Sequence, residues 1–256
     1  MREICYKCFR AKDNCFCKYI RPINSGIKFV FLMHTKEAKR QRTGTGRLAS
    51  LSLVDSEIIV GIDFSQNERI KELLADERYY PMVLYPDENA WSAKKEGFKE
   101  TLKGKTPLVF VLDATWFCAK KLIQKNEWII KLPKLSFSGS YTSIFTFKKE
   151  PSAECVSTIE SCYYLIKEMQ EAALSPDEDI SSLMSVFKAM IRFQLEMENA
   201  RIEGRIPNTH AKDFRYTKKK EVPSYLFDTD SGNVPSASKS PASAEKSALI
   251  EKSDQL

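Results

Sequence analysis

Short apolar runs alternate with amphipathic stretches between about residues 25 and 205, and this alternation predicts the secondary structure of the chain. The apolar runs predict β-strands at 27–33, 58–62, 82–85, 108–112 and 128–132. The amphipathic stretches predict α-helices at 37–53, 67–76, 115–125, 156–173 and 179–199. Because strands separated by helical crossovers usually pair in parallel, we expect an α/β fold with a mostly parallel sheet and helices on both faces.

The composition changes at both ends of this region and predicts four parts. Residues 1–22 are short, polar and rich in cysteine, and residues 23–205 form the expected main domain. Residues 206–227 are a basic extension that includes Lys218, Lys219 and Lys220. Residues 228–256 are rich in serine and alanine and lack aromatic residues, so they cannot bury enough surface to fold and are predicted to be disordered.

The first part contains two close cysteine pairs, Cys5-x-x-Cys8 and Cys15-x-Cys17, which we call the knuckle (residues 5–17). Two such pairs on opposite sides of a short loop can bring four thiolates to one tetrahedral Zn²⁺. A redox pair would need only two cysteines, whereas four of the seven cysteines fall here. The pattern therefore predicts a structural zinc site, closed to catalysis, whose role is structural or RNA-facing.

The overall composition narrows the class of protein only modestly. The chain has 256 residues, of which 43% are hydrophobic and 29% charged, as in an ordinary globular protein. The net charge of +6 slightly favours an anionic partner such as nucleic acid. No run approaches the roughly 18 apolar residues of a membrane helix, and the N-terminus lacks the apolar core of a signal peptide. We therefore expect a cytoplasmic protein with no membrane partner.

A basic segment follows the first predicted strand, which ends at Met33 and His34. Two glycines, Gly44 and Gly46, interrupt a cluster of cations made of Lys36, Lys39, Arg40, Arg42 and Arg47. Glycines allow a ligand to approach the backbone, and arginines bind phosphate or carboxylate groups. A solvated helix face would have the same composition, so both interpretations stay open. His34 is equally compatible with a structural and a functional role.

The fourth predicted strand ends in the sequence VLDATWFCAKK, with Asp113, Thr115 and Trp116 at its tip. Ligands of open α/β sheets bind beyond the carboxyl ends of the strands. There a carboxylate can accept a proton, a hydroxyl can hold a polar group and an indole can stack on a base. The alternative is helix capping by Asp113 or Thr115, with Trp116 in the core. The residues alone do not separate these two interpretations.

Asp113-x-Thr115-Trp116, followed by Ala119-Lys120-Lys121, resembles the signature of the DTW-domain family of tRNA-uridine aminocarboxypropyltransferases in the SPOUT-like superfamily. Further segments agree in family order over roughly residues 5 to 200: the knuckle, His34, Thr45-Gly46-Arg47-Leu48, Leu84-Tyr85-Pro86, Lys148-Lys149-x-Pro151 and Val156-Ser157-Thr158-Ile159-Glu160. Three positions depart from the family pattern, namely Gly44, Phe145 and Lys148.

The resemblance implies a SPOUT-like fold with a C-terminal trefoil knot. It also implies transfer of the 3-amino-3-carboxypropyl group from S-adenosyl-L-methionine to N3 of a tRNA uridine, with Zn²⁺ as a structural ion. The catalytic residues would be Asp113, as the base or the group that orients it, with Thr115 and Trp116. The donor site would comprise Thr45, Gly46, Arg47, Tyr85, Pro86, Asp113, Leu132, Pro133, Lys148, Ser157 and Thr158. Arg47 or Lys148 would hold the donor carboxylate.

The partner implied by the resemblance is tRNA, with the chain acting as a monomer or homodimer and with no protein partner evident. Two other functions compete with this one. A SPOUT-type RNA methyltransferase would release adenosylhomocysteine instead of methylthioadenosine. A non-catalytic, zinc-containing RNA-binding protein would bind tRNA without binding adenosylmethionine, but it would not need a carboxylate at a strand tip.

Overall fold

The computed structural model describes residues 3–39, 43–145, 155–207 and 218–228. Its centre is a five-stranded parallel sheet with the strand order β2-β1-β4-β3-β5. The strands are β1 (Lys28–His34), β2 (Ser56–Gly61), β3 (Tyr79–Leu84), β4 (Thr106–Asp113) and β5 (Lys134–Leu135). The predicted α/β fold with a mostly parallel sheet is confirmed.

Eight α-helices surround the sheet in the part of the chain that is described. They are α1 (Thr35–Lys39), α2 (Thr45–Ser52), α3 (Glu68–Ala75), α4 (Phe98–Leu102), α5 (Trp116–Lys125), α6 (Glu127–Lys131), α7 (Thr158–Glu171) and α8 (Ser181–Ile202). Short 3₁₀ turns occur at Lys12–Asn14, Cys17–Tyr19 and Ser224–Leu226. None of the described helices is long and apolar enough to cross a membrane.

Helices pack on both faces of the sheet and bury its central strands, β1 and most of β4, on both sides. In β1, Phe29 and Phe31 point into a large cluster with α2, α7 and α8. Val30 and Leu32 point into a smaller cluster with α3, α5 and α6. Continuous apolar runs, and not alternating ones, are typical of such central parallel strands.

Two sequence predictions are wrong in this structure. The run 128–132 is not a strand: it lies almost entirely in α6, and the fifth strand follows at Lys134–Leu135. Periodicity alone cannot separate a short buried strand from a short buried helix. The region 37–53 contains two helices instead of one, because Gly44 has an extended backbone and precedes α2 as its N-cap. The short helix α4 was not predicted.

Both termini of the described chain pack against α8. Phe16 of the knuckle is 4% exposed, and its ring makes an edge contact with Phe193 at 5.7 Å between centroids. On the C-terminal side, the Asn199 side chain bonds the backbone N–H and carbonyl of Lys220. Leu226 is fully buried. Of the tail predicted to be disordered, 229–256 lies outside the described residues.

Candidate active site and metal centre

Asp113 is the last residue of β4 and lies at the carboxyl end of the sheet, beside Met33 of β1. Its side chain is only 6% exposed. The Asp113 Oδ1 atom accepts a hydrogen bond of 2.8 Å from the hydroxyl of Thr158, the first residue of α7. This bond joins the strand tip to a helix that follows it by many residues, so the carboxylate is fixed by tertiary structure.

Gly46, in the first turn of α2, contacts the same carboxylate. A Cβ atom on Gly46 would lie 2.3 Å from Asp113 Oδ2, 2.4 Å from Cγ and 2.7 Å from Oδ1. No side chain fits in that space, because nonbonded heavy atoms normally stay more than about 3.4 Å apart. Gly46 is therefore needed for the approach of Asp113 to α2.

A small cleft that is open to solvent lies beside Asp113. The knuckle forms one wall of it and the region from β1 to α2 forms another. Its lining residues are Cys8, Arg10, Met33, Glu37, Gly44, Arg47, Leu48 and Asp113. Two carboxylates, of Glu37 and Asp113, and two guanidinium groups, of Arg10 and Arg47, thus line a shared opening, as recognition of a ligand with both charges would require.

Arg47 lies between the knuckle and Asp113. Its guanidinium carbon is 4.4 Å from the centroid of the Phe9 ring, which is a cation–π contact. Burial lowers the pKa of Arg47, while the charges of Asp113 and Cys8 act in the opposite direction. Arg47 lines the same cleft as Asp113 and Cys8.

The four knuckle cysteines converge as the sequence predicts. The Sγ atoms of Cys5 and Cys17 are 3.9 Å apart, those of Cys8 and Cys15 are 3.7 Å apart, and all four lie within 4.8 Å of one another. Four sulfurs around a tetrahedral zinc, with Zn–S bonds of ~2.3 Å, would be separated by ~3.8 Å. Two of the Sγ pairs already have this separation, so the cluster could close around a single metal ion with only a small contraction.

The pKa values of these thiols are shifted in opposite directions by their surroundings. Backbone N–H groups of Cys8 and Lys7 point at Cys5 and lower its pKa to about 6. Burial and the neighbouring thiols raise the pKa of Cys17. Four thiolates this close together repel one another, and a divalent cation at their centre would remove that conflict.

The residues after Asp113 begin α5. Thr115 is the N-cap of this helix, but its side chain makes no capping hydrogen bond and is exposed to solvent. The capping interpretation of its hydroxyl is therefore not supported. The backbone of Trp116 starts α5, and the side chain of Trp116 lies outside the described part of the structure.

Comparison with known proteins identifies the family. A family model described as the DTW domain matches residues 2–195. The chain belongs to the DTW-domain family. The resemblance seen in the sequence motifs is thereby confirmed.

Curated relatives of this DTW-domain chain carry a shared name. The mouse protein named tRNA-uridine aminocarboxypropyltransferase 2 is 24% identical over 231 residues, which cover 86% of this chain and 76% of the relative. The Macaca fascicularis protein of the same name is 25% identical over 76% of this chain and 68% of the relative. The Arabidopsis thaliana tRNA-uridine aminocarboxypropyltransferase A is 27% identical over 75% of this chain and 81% of the relative. No solved structure matches the chain.

In the DTW domain, the two polar residues Thr158 and Glu160 of the Ser157-Thr158-x-Glu160 stretch have different structural roles. Thr158 bonds Asp113, as described above. Glu160 is fully buried and accepts hydrogen bonds from the N–H of Ser157 at 2.7 Å, from the Ser143 hydroxyl at 2.7 Å and from the N–H of Ile144 at 2.8 Å. Burial raises the pKa of Glu160, and these donors act against that shift. Glu160 therefore holds the chain before α7 in place.

A second buried acid on α7, Glu168, extends this support. It accepts hydrogen bonds of 2.8–2.9 Å from the N–H groups of Ser138 and Gly139 and from the Tyr141 hydroxyl. Tyr141 in turn stacks on Tyr164 with 3.9 Å between ring centroids. Sequence reasoning missed Glu168, although an acid eight positions after Glu160 within an apolar helix stripe was an available signal.

The other predicted donor-site residues form a separate group at the β3–β5 edge. The N–H of Tyr85 bonds the carbonyl of Leu135 at 2.9 Å, and the N–H of Val83 bonds the carbonyl of Pro133 at 3.0 Å. The loops containing Pro86 and Leu132 are therefore neighbours. None of these loop residues is among the described residues that line the cleft beside Asp113. Lys148 lies outside the described residues, as do Arg40 and Arg42.

Two cleft residues, Cys8 and Arg10, were not predicted to lie near Asp113. Arg10 is held over the Phe16 ring at 4.8 Å, beside the cysteines. No sequence pattern relates them to a strand tip more than 100 residues later. His34 has a local role: its Nδ1 accepts the N–H of Lys36 at 3.1 Å at the start of α1.

Proposed function

We propose that this DTW-domain chain transfers the 3-amino-3-carboxypropyl group of S-adenosyl-L-methionine to N3 of a uridine in tRNA and releases methylthioadenosine. The names of the curated relatives support this reaction class. The observation that carries the proposal is the Asp113 carboxylate, which is fixed by Thr158 at the carboxyl end of the sheet and faces a cleft that also contains Arg47.

The reaction needs orientation and a proton acceptor. Uridine N3 attacks the methionine γ-carbon, the bond from that carbon to sulfur breaks, and the sulfur keeps the electron pair. The positive sulfonium becomes a neutral thioether, and the N3 proton leaves to a base. Because the sulfonium already activates three carbons, the protein must decide which carbon faces the nucleophile.

Asp113 is the proposed proton acceptor, or the group that orients it. The Thr158 hydroxyl binds Oδ1 and the first turn of α2 packs against the whole group, so the carboxylate cannot rotate freely. A positioned general base contributes roughly 10²- to 10⁴-fold to the rate. Thr115 and Trp116, which directly follow the strand tip in the chain, are the proposed contacts of the uracil.

Arg47 is the proposed ligand of the donor carboxylate, since a guanidinium binds carboxylate through two parallel hydrogen bonds. Fixing that carboxylate would direct the amino-acid arm, and not the methyl group, towards Asp113. The rest of the donor site would comprise Thr45, Gly46, Ser157 and Thr158, together with the loops at Tyr85-Pro86 and Leu132-Pro133 and Lys148. A SPOUT-like knot around the adenosine remains part of this proposal.

The knuckle is proposed to hold one structural Zn²⁺ through Cys5, Cys8, Cys15 and Cys17. Four thiolates would leave no open coordination position, so the ion would supply folding energy and no chemistry. The polyanionic tRNA would be attracted by the net charge of +6. Lys219 forms an ion pair with Glu203, so part of the basic 206–227 extension is neutralised within the protein.

Nucleoside mass spectrometry tests the proposal. The zinc-loaded chain is incubated with adenosylmethionine and unmodified tRNA, and both the digested RNA and the small molecules are analysed. We expect an aminocarboxypropyl-uridine together with methylthioadenosine. A methylated nucleoside with adenosylhomocysteine would instead indicate a SPOUT-type methyltransferase. Binding of tRNA with no modified nucleoside and no adenosylmethionine binding would indicate a non-catalytic RNA-binding protein.

A further inference from the structure

The loop between Cys5 and Arg10 has a tightly constrained backbone. The N–H of Phe9 bonds the carbonyl of Cys5 at 2.7 Å, and the N–H of Cys5 bonds the carbonyl of Arg10 at 2.7 Å. Two of the four clustered cysteines, Cys5 and Cys8, are in this loop. The position of Phe9 is therefore determined by the same segment that would hold the metal.

Phe9 itself is an unexpected residue at its position. Its φ is +56°, a left-handed conformation that favours glycine or asparagine and is rare for bulky side chains. Its ring is also 45% exposed, so burial in the core does not explain it. The backbone disfavours an aromatic residue here and the core does not need one, which points to a use for the ring itself.

The ring contacts the guanidinium of Arg47 at 4.4 Å. Arg47 is a long side chain that would sample many rotamers at the mouth of an open cleft. The Phe9 ring covers one face of the guanidinium, and the planar edge that carries the N–H donors stays available for a ligand. Cys8, which precedes Phe9 and is one of the four proposed metal ligands, is buried and lines the same cleft as Arg47 and Asp113.

We propose that Phe9 is a positioning residue that holds Arg47 for the donor carboxylate, so that metal binding in the knuckle and donor binding in the cleft are energetically coupled. This inference rests on the proposed function for its ligand. It adds that the knuckle is part of the donor site, with an effect on small-molecule affinity that is independent of any contact with RNA. Coupling of this kind is reciprocal, because the donor must strengthen metal binding by the same factor.

The test compares three variants of the zinc-loaded full chain. Phe9→Gly removes the ring and relieves the left-handed backbone, Phe9→Tyr keeps an aromatic face, and Tyr6→Ala removes the other ring of the loop, which is 88% exposed. Calorimetry measures adenosylmethionine affinity, and metal analysis measures zinc content. We expect Phe9→Gly to weaken donor binding about three- to fivefold, the loss of one cation–π contact, with zinc content unchanged. Phe9→Tyr and Tyr6→Ala should bind like the original chain.

Two further readouts separate this inference from the proposed function. The Arg47 Nε–H resonance should show a ring-current shift that disappears in Phe9→Gly and on chelation of the metal. Donor should also raise zinc affinity about three- to fivefold in the original chain, but not in Phe9→Gly. Equal donor affinity in Phe9→Gly and the original chain would overturn the coupling. If the original chain bound no donor, the proposed function would fall, and an unchanged Arg47 resonance in Phe9→Gly would independently overturn the positioning role.

Discussion

Replacing Gly46 by alanine should disrupt Asp113, although glycine to alanine normally stabilises a helix. The new Cβ would lie 2.3 Å from Asp113 Oδ2, so the carboxylate or α2 must move by roughly 1 Å to restore an ordinary contact. That movement would break the 2.8 Å bond from Thr158. We expect the strain to lower the free energy of unfolding by about 2 kcal/mol and the lost hydrogen bond to lower it by about 1.5 kcal/mol. The gain in helix propensity of about 1 kcal/mol offsets part of this.

The predicted net loss for Gly46→Ala is therefore about 2.5 kcal/mol of unfolding free energy. Denaturant unfolding of the zinc-loaded chain measures it, in a double-mutant cycle with Asp113→Ala. With the carboxylate removed, the clash disappears, and Gly46→Ala should stabilise the chain by up to about 1 kcal/mol. The expected coupling is therefore about 3.5 kcal/mol, the sum of the strain and the lost hydrogen bond.

The same substitution should lower the transfer rate about 100-fold, since a 1 Å misplacement near the reacting atoms can have that effect. If Gly46→Ala lowered the free energy of unfolding equally in the original chain and in Asp113→Ala, the reasoning would be refuted, because the strain would then arise elsewhere. A stabilising effect in the original background would refute it as well.

Three further predictions follow from other parts of the structure. Asp113→Asn should lower turnover by about 10²- to 10⁴-fold while adenosylmethionine affinity, measured by calorimetry, changes less than tenfold; unchanged turnover would remove its proposed role. Cys8→Ser removes a proposed zinc ligand, so it should weaken zinc binding by more than the roughly 10- to 100-fold lost when a residue that only contacts a ligand is replaced. Full metal retention would contradict the four-thiolate site. Burial raises the pKa of Glu57, but hydrogen bonds from Arg69 and Lys28 outweigh it and leave that pKa below 4.5. A carboxyl group whose pKa is lower in the folded state than in the unfolded state stabilises the fold at pH values above its unfolded-state pKa. The free energy of unfolding of the original chain should therefore exceed that of Glu57→Gln, and this difference should shrink as the pH falls below 4.5. A difference that stays constant when unfolding is measured across this pH range would contradict the prediction.

The strand end at Asp113 could be predicted well from the sequence, because the apolar run before it and the helical pattern after it mark the same boundary. The run 108–112 is apolar on both faces, and it is followed at once by Asp113 and a helical stretch, so the strand end and its chemistry could be read together. The cysteine spacing was equally informative, since metal ligands must be close in the chain when no core holds them. Both features depend on short-range patterns.

The remaining features depend on tertiary packing, which no local pattern contains. The glycine at position 46 indicated close approach of a ligand to the backbone, and the structure instead brings the Asp113 carboxylate of the protein there. The contact between Phe9 and Arg47 joins segments that share no periodicity. The run 128–132 was assigned to the wrong element, because Trp128 and Ile129 pack equally well from a helix against Phe110 and its neighbours.

The most direct test of the central claim follows the two ends of the donor. Adenosylmethionine labelled either in its methyl carbon or in its carboxyl carbon is incubated with the zinc-loaded chain and tRNA, and the label in the RNA is measured. Carboxyl label should enter the RNA and methyl label should leave as methylthioadenosine, and in Asp113→Asn both products should form about 10²- to 10⁴-fold more slowly. Methyl label in the RNA would contradict the orientation that we propose for Arg47 and Asp113.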